Sequence, residues 1–197
     1  MASNIQTPRI EIWSRDVDNT PIIPFLDSRP QHLYMLKINV DGTREIIRGG
    51  PSNGNMAIDN FKMVSQSYNG PRQNQNGIQT YDFWDGNINN NPKHHQLVTT
   101  YNFGSQELLD KSNNKGFVFD NQTNIQEFDY EVFSQNSNTG IIKRLDYMGL
   151  NPDPIYNSLK NKNLIAPAAK KNFSHSIMYQ GLSIIIQIRN YSNITNY

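Results

Sequence analysis

Residues 32–48 constrain this chain more than any other stretch. Residues 32–40 are apolar and β-prone, Asp41-Gly42 is a turn dipeptide, and residues 43–48 return as a second extended run. Leu33, Tyr34, Met35, Leu36 and Ile38 include neighbours that must point to opposite sides of a strand. A strand apolar on both faces belongs inside a sheet that is covered on both faces. The triplet Gly49-Gly50-Pro51 then reads as a hard stop for the hairpin.

Periodicity places fewer elements elsewhere. Residues 9–13 suit a short strand. Pro21, Pro24 and Pro30 punctuate a turn-rich segment between it and the hairpin. Residues 65–96 are dominated by Asn, Gln, Gly and Pro, and read as long loops with one short strand at 78–84. This is a loop-rich insertion within a single 1–197 domain. Residues 105–115 suggest a short helix, and residues 124–133 a lead into a second one, at 137–148. There Ile141, Ile142, Leu145 and Met148 share one face. Asn136, Ser137 and Asn138 supply cap chemistry at its start, and Gly149 its stop. Residues 151–172, with Pro152, Pro154 and Pro167, read as loop. Residues 181–189, with Ile184, Ile185, Ile186 and Ile188, read as a last strand buried on both faces. Strands segregated from helices indicate an α+β fold with a mainly antiparallel sheet and packed helices.

Composition narrows the function classes. The chain of 197 residues carries a net charge of +1 and no cysteine. Its length suffices to bury about 70% of the unfolded surface. Its polarity is amide rather than charge, since Asn alone supplies about one residue in seven. Without cysteine there is no disulfide, thiolate metal site or cysteine nucleophile. Lys160, Lys162, Lys170 and Lys171 are the nearest thing to a basic patch, which is too little for phosphate-driven binding, so no nucleic-acid partner is expected. No run approaches a membrane span, and residues 1–12 contain no apolar signal core. Localisation stays open between the cytoplasm and export by a non-classical route, and oligomeric state stays open as well.

Four histidines are candidates for chemistry. His94 and His95 form a pair in an Asn-rich loop, but no third ligand stands at metal-site spacing. His175 flanks the last strand as an exposed or capped residue. No metal or other cofactor is expected. His32 differs because it stands at the mouth of a buried strand. Ser137 stands at a helix start, where a serine is commonly a cap. Taken together, a nucleophile at the positive end of a helix and a histidine at a strand end can act as nucleophile and general base. Free backbone N–H groups at the same helix end can stabilise an oxyanion. Arg48, Ser52 and Asn53 are the candidates to orient His32. Gln135 and Asn136 are the spare donors beside the nucleophile.

The stretch Phe128-Asp129-Tyr130, followed by Gln135-Asn136-Ser137-Asn138-Thr139 running into a helix, resembles the Asn-Ser-Asn-Thr signature of an uncharacterised bacterial group. That group is similar to the permuted NlpC-type branch of the papain-like superfamily. The run His32-Leu33-Tyr34-Met35, the stop at Arg48-Gly49-Gly50-Pro51 and the later Leu164-Ile165-Ala166-Pro167 resemble the same sequences. The likeness covers about half of the chain in two blocks. It implies a permuted papain-like architecture with His32 and Ser137 in the site. It also implies a hydrolase or acyltransferase acting on an amide or ester carbonyl of a peptide, peptidoglycan stem or lipid, with a small-molecule, peptide or glycan substrate. The superfamily, which includes relatives of lecithin retinol acyltransferase, generally carries Cys where this chain has Ser137. That leaves three alternatives: a serine variant, a binding relative without catalysis, or a cysteine replaced by serine. The rival function is an inactive papain-like module that binds a carbohydrate or protein through aromatics such as Tyr81, Phe83 and Trp84, or an effector or phage component.

From net charge and ligand spacing, chelation should leave thermal stability unchanged. Titration with DNA or RNA should reveal no tight, salt-sensitive affinity. A melting temperature that drops on adding EDTA would contradict the first expectation.

Overall fold

The computed structural model of the chain describes residues 5–17, 30–51, 60–67, 95–126, 128, 136–166 and 169. Among these it contains strands β1 (Arg9–Asp16), β2 (Gln31–Ile38), β3 (Arg44–Pro51), β4 (Phe61–Ser67) and β5 (Gln96–Asn102). Its helices are α1 (Gln106–Gln126), α2 (Ser137–Met148) and α3 (Asp153–Asn161). The strands form one sheet in the order β4-β3-β2-β1-β5, and every recorded strand pair is antiparallel. The fold is α+β, and β2 is its central strand, apolar on both faces as its sequence requires.

One face of the sheet carries Ile10, Ile12, Leu33, Met35 and Ile47. These pack in one core with Leu109 and Phe119 of α1, Ile141, Ile142, Leu145 and Met148 of α2, and Ile155 and Leu159 of α3. Tyr34, Leu36, Ile38 and Ile46 form a second buried cluster, with Trp13 against it. Alternation of side chains across the strands accounts for the division. Removing a large aliphatic side chain from either cluster would cost about 2–5 kcal/mol.

Several boundaries differ from those read in the sequence. The β2–β3 hairpin pairing ends short of Gly49, while β3 itself runs on through both glycines, paired with β4, and stops at Pro51. Gly49 is there for space: a Cβ at this position would lie 2.5 Å from Phe61 Cζ and 3.0 Å from Ser137 Cα. Strand β4 takes in a stretch left unassigned before residue 65 and the first three residues of the loop expected at 65–96, and β5 takes in the stretch after that loop; residues 68–94 lie outside the described residues. The helix expected over residues 105–115 continues through Gly116 to Gln126. Gly116 is required sterically, since a Cβ would meet the Arg144 guanidinium at 2.7 Å. Helix α3 occupies part of the expected loop at 151–172. Its prolines stand at the helix entrance, where a missing N–H breaks no intrahelical bond. Helix α2 has the expected bounds, and Gly149 ends it at φ 77°, in the left-handed region. The strands expected at 78–84 and 181–189 lie outside the described residues.

Arg144 sets how α2 lies on α1. It is 1% exposed, and its Nε donates to both carboxylate oxygens of Asp120, at 2.9 and 3.2 Å. Its Nη2 donates to Asn113 Oδ1, and Nη1 faces the sulfurs of Met35 and Met148. Burial pushes the Asp120 carboxyl above the ordinary carboxylate range, against the downward pull of Arg144. A raised carboxyl pKa means that the folded state holds the proton longer than the unfolded state. The Asp120 contribution is therefore fully present below the unfolded pKa and is lost as pH rises through the folded one.

Two outcomes follow. Arg144→Met should destabilise the fold by about 3–5 kcal/mol at neutral pH, because it strands the buried carboxylate. The loss should be smaller in acid, and Asp120→Leu in the same chain should restore most of it; urea unfolding at two pH values measures both. Gly140→Ala should destabilise, although Gly→Ala in a helix normally gains about 1 kcal/mol. Its Cβ would come within 2.5 Å of Phe61 Cζ and 2.8 Å of Met63 Sδ, and overpacking of this kind costs about 1–3 kcal/mol. A rise in melting temperature would show that the junction has slack.

Candidate functional site

The site lies where β2 leaves β3. Their pairing runs from Ile38↔Arg44 to Met35↔Ile47 and no further, whereas β3 stays paired with β4 to its end. Continued in register, Leu33 would face Gly49. The start of α2 lies there instead, with Ser137 Cα over Gly49.

Helix α2 begins with a division of labour. Asn136 is the N-cap: its backbone is extended at φ −129° and ψ −172°, and its Oδ1 accepts from the N–H groups of Asn138 and Thr139 at 2.9 and 3.4 Å. Ser137 is therefore the first helical residue and not the cap. Its hydroxyl is spared for a different contact, with Oγ 2.6 Å from His32 Nδ1. The structure thus brings together the two residues on which the sequence argument converged, one from a strand end and one from a helix start, 105 positions apart. Ser137 is buried and His32 is half-buried. The Ser137 N–H has no acceptor among the described residues and stands at the positive end of α2.

Asn138 is the residue that sequence reasoning under-read as a helix-start amide. Its side chain turns away from its own helix. The Oδ1 accepts from Leu33 N–H at 2.7 Å and the Nδ2 donates to the Gln31 carbonyl at 2.9 Å. It therefore holds the backbone on both sides of His32. The signal was present, since an amide directly after Ser137 carries both a donor and an acceptor. Only knowledge of the divergence of β2 from β3 gives it a target.

The other candidates separate. Asn136 caps α2 through its Oδ1, which accepts from the Asn138 and Thr139 N–H groups. Gln135, Ser52 and Asn53 lie outside the described residues, as do His94, His175, Lys170 and Lys171. Arg48 is in β3. His95 is not solvated: it is buried immediately before β5, with Nδ1 2.9 Å from the Tyr34 hydroxyl and the two rings edge to face. Lys162 follows α3, and its Nζ donates to the Leu97 carbonyl at 2.6 Å. Among the described residues no group of three or more His, Cys, Asp or Glu could hold a metal ion, and no helix is long and apolar enough to cross a membrane.

The chain matches no family model, no curated protein and no solved structure.

Replacing the cap should distinguish the two neighbours. Asn136→Ala should lower stability by about 1 kcal/mol, as loss of an N-cap does, and should speed exchange of the Asn138 and Thr139 amides. Ser137→Ala should leave the exchange of those two amides unchanged. Faster exchange in the serine variant would return Ser137 to a capping role.

Proposed function

We propose that His32 and Ser137 form a base–nucleophile pair for hydrolysis or acyl transfer at an amide or ester carbonyl, on a permuted papain-like scaffold. The observation that carries the reading is the 2.6 Å contact between Ser137 Oγ and His32 Nδ1 at the first residue of a capped helix. That distance lies within the reach required of a general base. As Oγ attacks the carbonyl, His32 Nδ1 takes its proton. The Ser137 N–H, at the positive end of α2, donates to the oxygen that gains charge. The protonated imidazole then passes its proton to the departing amine or alcohol. The acyl group on Ser137 leaves to water or to a second acceptor by the same steps in reverse order.

The histidine presents Nδ1 to the serine. In chymotrypsin-type triads Nε2 does so, and Nδ1 faces the carboxylate. The group orienting His32 must accordingly act on Nε2. A specific observation favours the second reading, a binding module without catalysis: Ser137 is only 3% exposed, which a purely structural hydrogen bond would also produce.

Ser137→Cys separates the two readings. Next to His32 and the helix start, the thiol pKa should fall below its ordinary value of about 8.5. Alkylation at neutral pH should then outpace that of a free cysteine, and His32→Ala in the same chain should abolish the gain. A thiol that reacts slowly with or without His32 would leave the contact structural and favour the binding module.

A further inference from the structure

We infer that Asn138 is a positioning residue for this pair, a clamp that seats His32 against Ser137 by holding the β2 backbone on either side of the histidine. The inference rests on the base–nucleophile reading and deepens it by naming what keeps the two groups at hydrogen-bond distance. One amide accepts from Leu33 N–H and donates to the Gln31 carbonyl, so both peptide groups that bracket His32 are tied to the residue that directly follows Ser137. The amide is 2% exposed and its own N–H is held by the Asn136 cap, so the clamp cannot swing with the side chain alone.

The surroundings make the clamp necessary. At this point β2 has lost β3 as a neighbour, and nothing in the strand ladder sets how far His32 stands from α2 on that side. The Gln31 N–H donates to the Ile165 carbonyl, and the Gln31 Nε2 donates to Asp16 Oδ1. Those bonds hold Gln31 to other elements without referring to Ser137. Asn138 refers His32 to Ser137 directly, because the chain joins it to the nucleophile through one peptide bond.

The experiment uses the full chain carrying Ser137→Cys, whose thiol reports the pair through the pH profile of alkylation by iodoacetamide. Adding Asn138→Asp keeps the size of the side chain and an acceptor for Leu33 N–H, and removes the donor to Gln31. The profile should then move toward that of an ordinary thiol, and the neutral-pH rate should fall by about tenfold, which corresponds to one pH unit of midpoint. Asn138→Ala should move it at least as far. Asn124→Ala is the matched control. The Asn124 amide makes the same pair of backbone bonds, to Met63 N–H and Met63 O on β4, so its loss should lower stability and leave the profile in place.

A profile unmoved by either Asn138 substitution, while His32→Ala moves it, would overturn the clamp and leave the base–nucleophile reading standing. A profile that is ordinary in Ser137→Cys itself would overturn that reading, and the clamp with it. Should both Asn138 variants fail to fold, hydrogen exchange of the Leu33 amide in the unaltered chain decides. Exchange as slow as that of the paired amides of β2 supports the clamp, and rapid exchange overturns it.

Discussion

Where a central strand parts from its neighbour, its backbone groups still need partners. Leu33 N–H and the Gln31 carbonyl lose theirs as β2 diverges from β3, and each such group left buried and unpaired would cost about 1–3 kcal/mol. The Asn138 amide presents its oxygen and one N–H to β2, with much the spacing of a peptide group, and so it stands in for the missing strand. Asn124 does the same for Met63 on β4, one of the two edge strands of the described sheet. At these positions the amide-rich composition has a structural use: a side-chain amide completes a strand without adding a strand.

The divergence also has to be filled. Gly49 in β3 and Gly140 in α2 let backbone come close, and the Phe61 ring fills the space between them. Arg144 governs the other end of the helix by binding Asp120 and Asn113 of α1. A buried ion pair is weak evidence for net stability, since its desolvation offsets much of its attraction. Its directional bonds nonetheless restrict how α2 can rotate on α1. One end of α2 is thus fixed by hydrogen bonds to β2, and the other by hydrogen bonds to α1, with Ile141 and Leu145 packed between. Position and rotation of Ser137 follow from both.

These causes divide what could be read in the sequence from what could not. Helix α2 was legible because its apolar face, amide start and glycine stop agree. The β2–β3 hairpin was legible because its turn and its two-sided apolarity agree. Strand β4, with Lys62, Ser65, Gln66 and Ser67, has the polarity of an edge and lacks that signature. Helix α1 hid its length behind Gly116 and several asparagines, because the reason for Gly116 is the Arg144 guanidinium, far away in sequence. Helix α3 was hidden by prolines that break a helix in its interior but suit its first turn. His32 and Ser137 could be paired from the sequence because each stands at an element end. Asn138 could not, because both of its targets lie on a strand more than a hundred residues away.

The presence of serine rather than cysteine at residue 137 makes the rigidity of this junction more consequential. A thiol beside an imidazole and a helix start can ionise before attack, so its base need only be near enough to stabilise a thiolate. An alcohol does not ionise at such a site, and its proton must move to the base while the new bond forms. A serine site therefore tolerates less drift between nucleophile and base than a cysteine site does. In this chain the hydroxyl and the ring nitrogen are already at hydrogen-bond distance. The hydroxyl is free of capping because Asn136 caps, and the strand that carries the ring is tied to the next residue of the helix. That combination is what a serine at this position would need in order to act as a nucleophile. It also explains why loss of the Asn138 donor should be felt more by serine than by cysteine at this position.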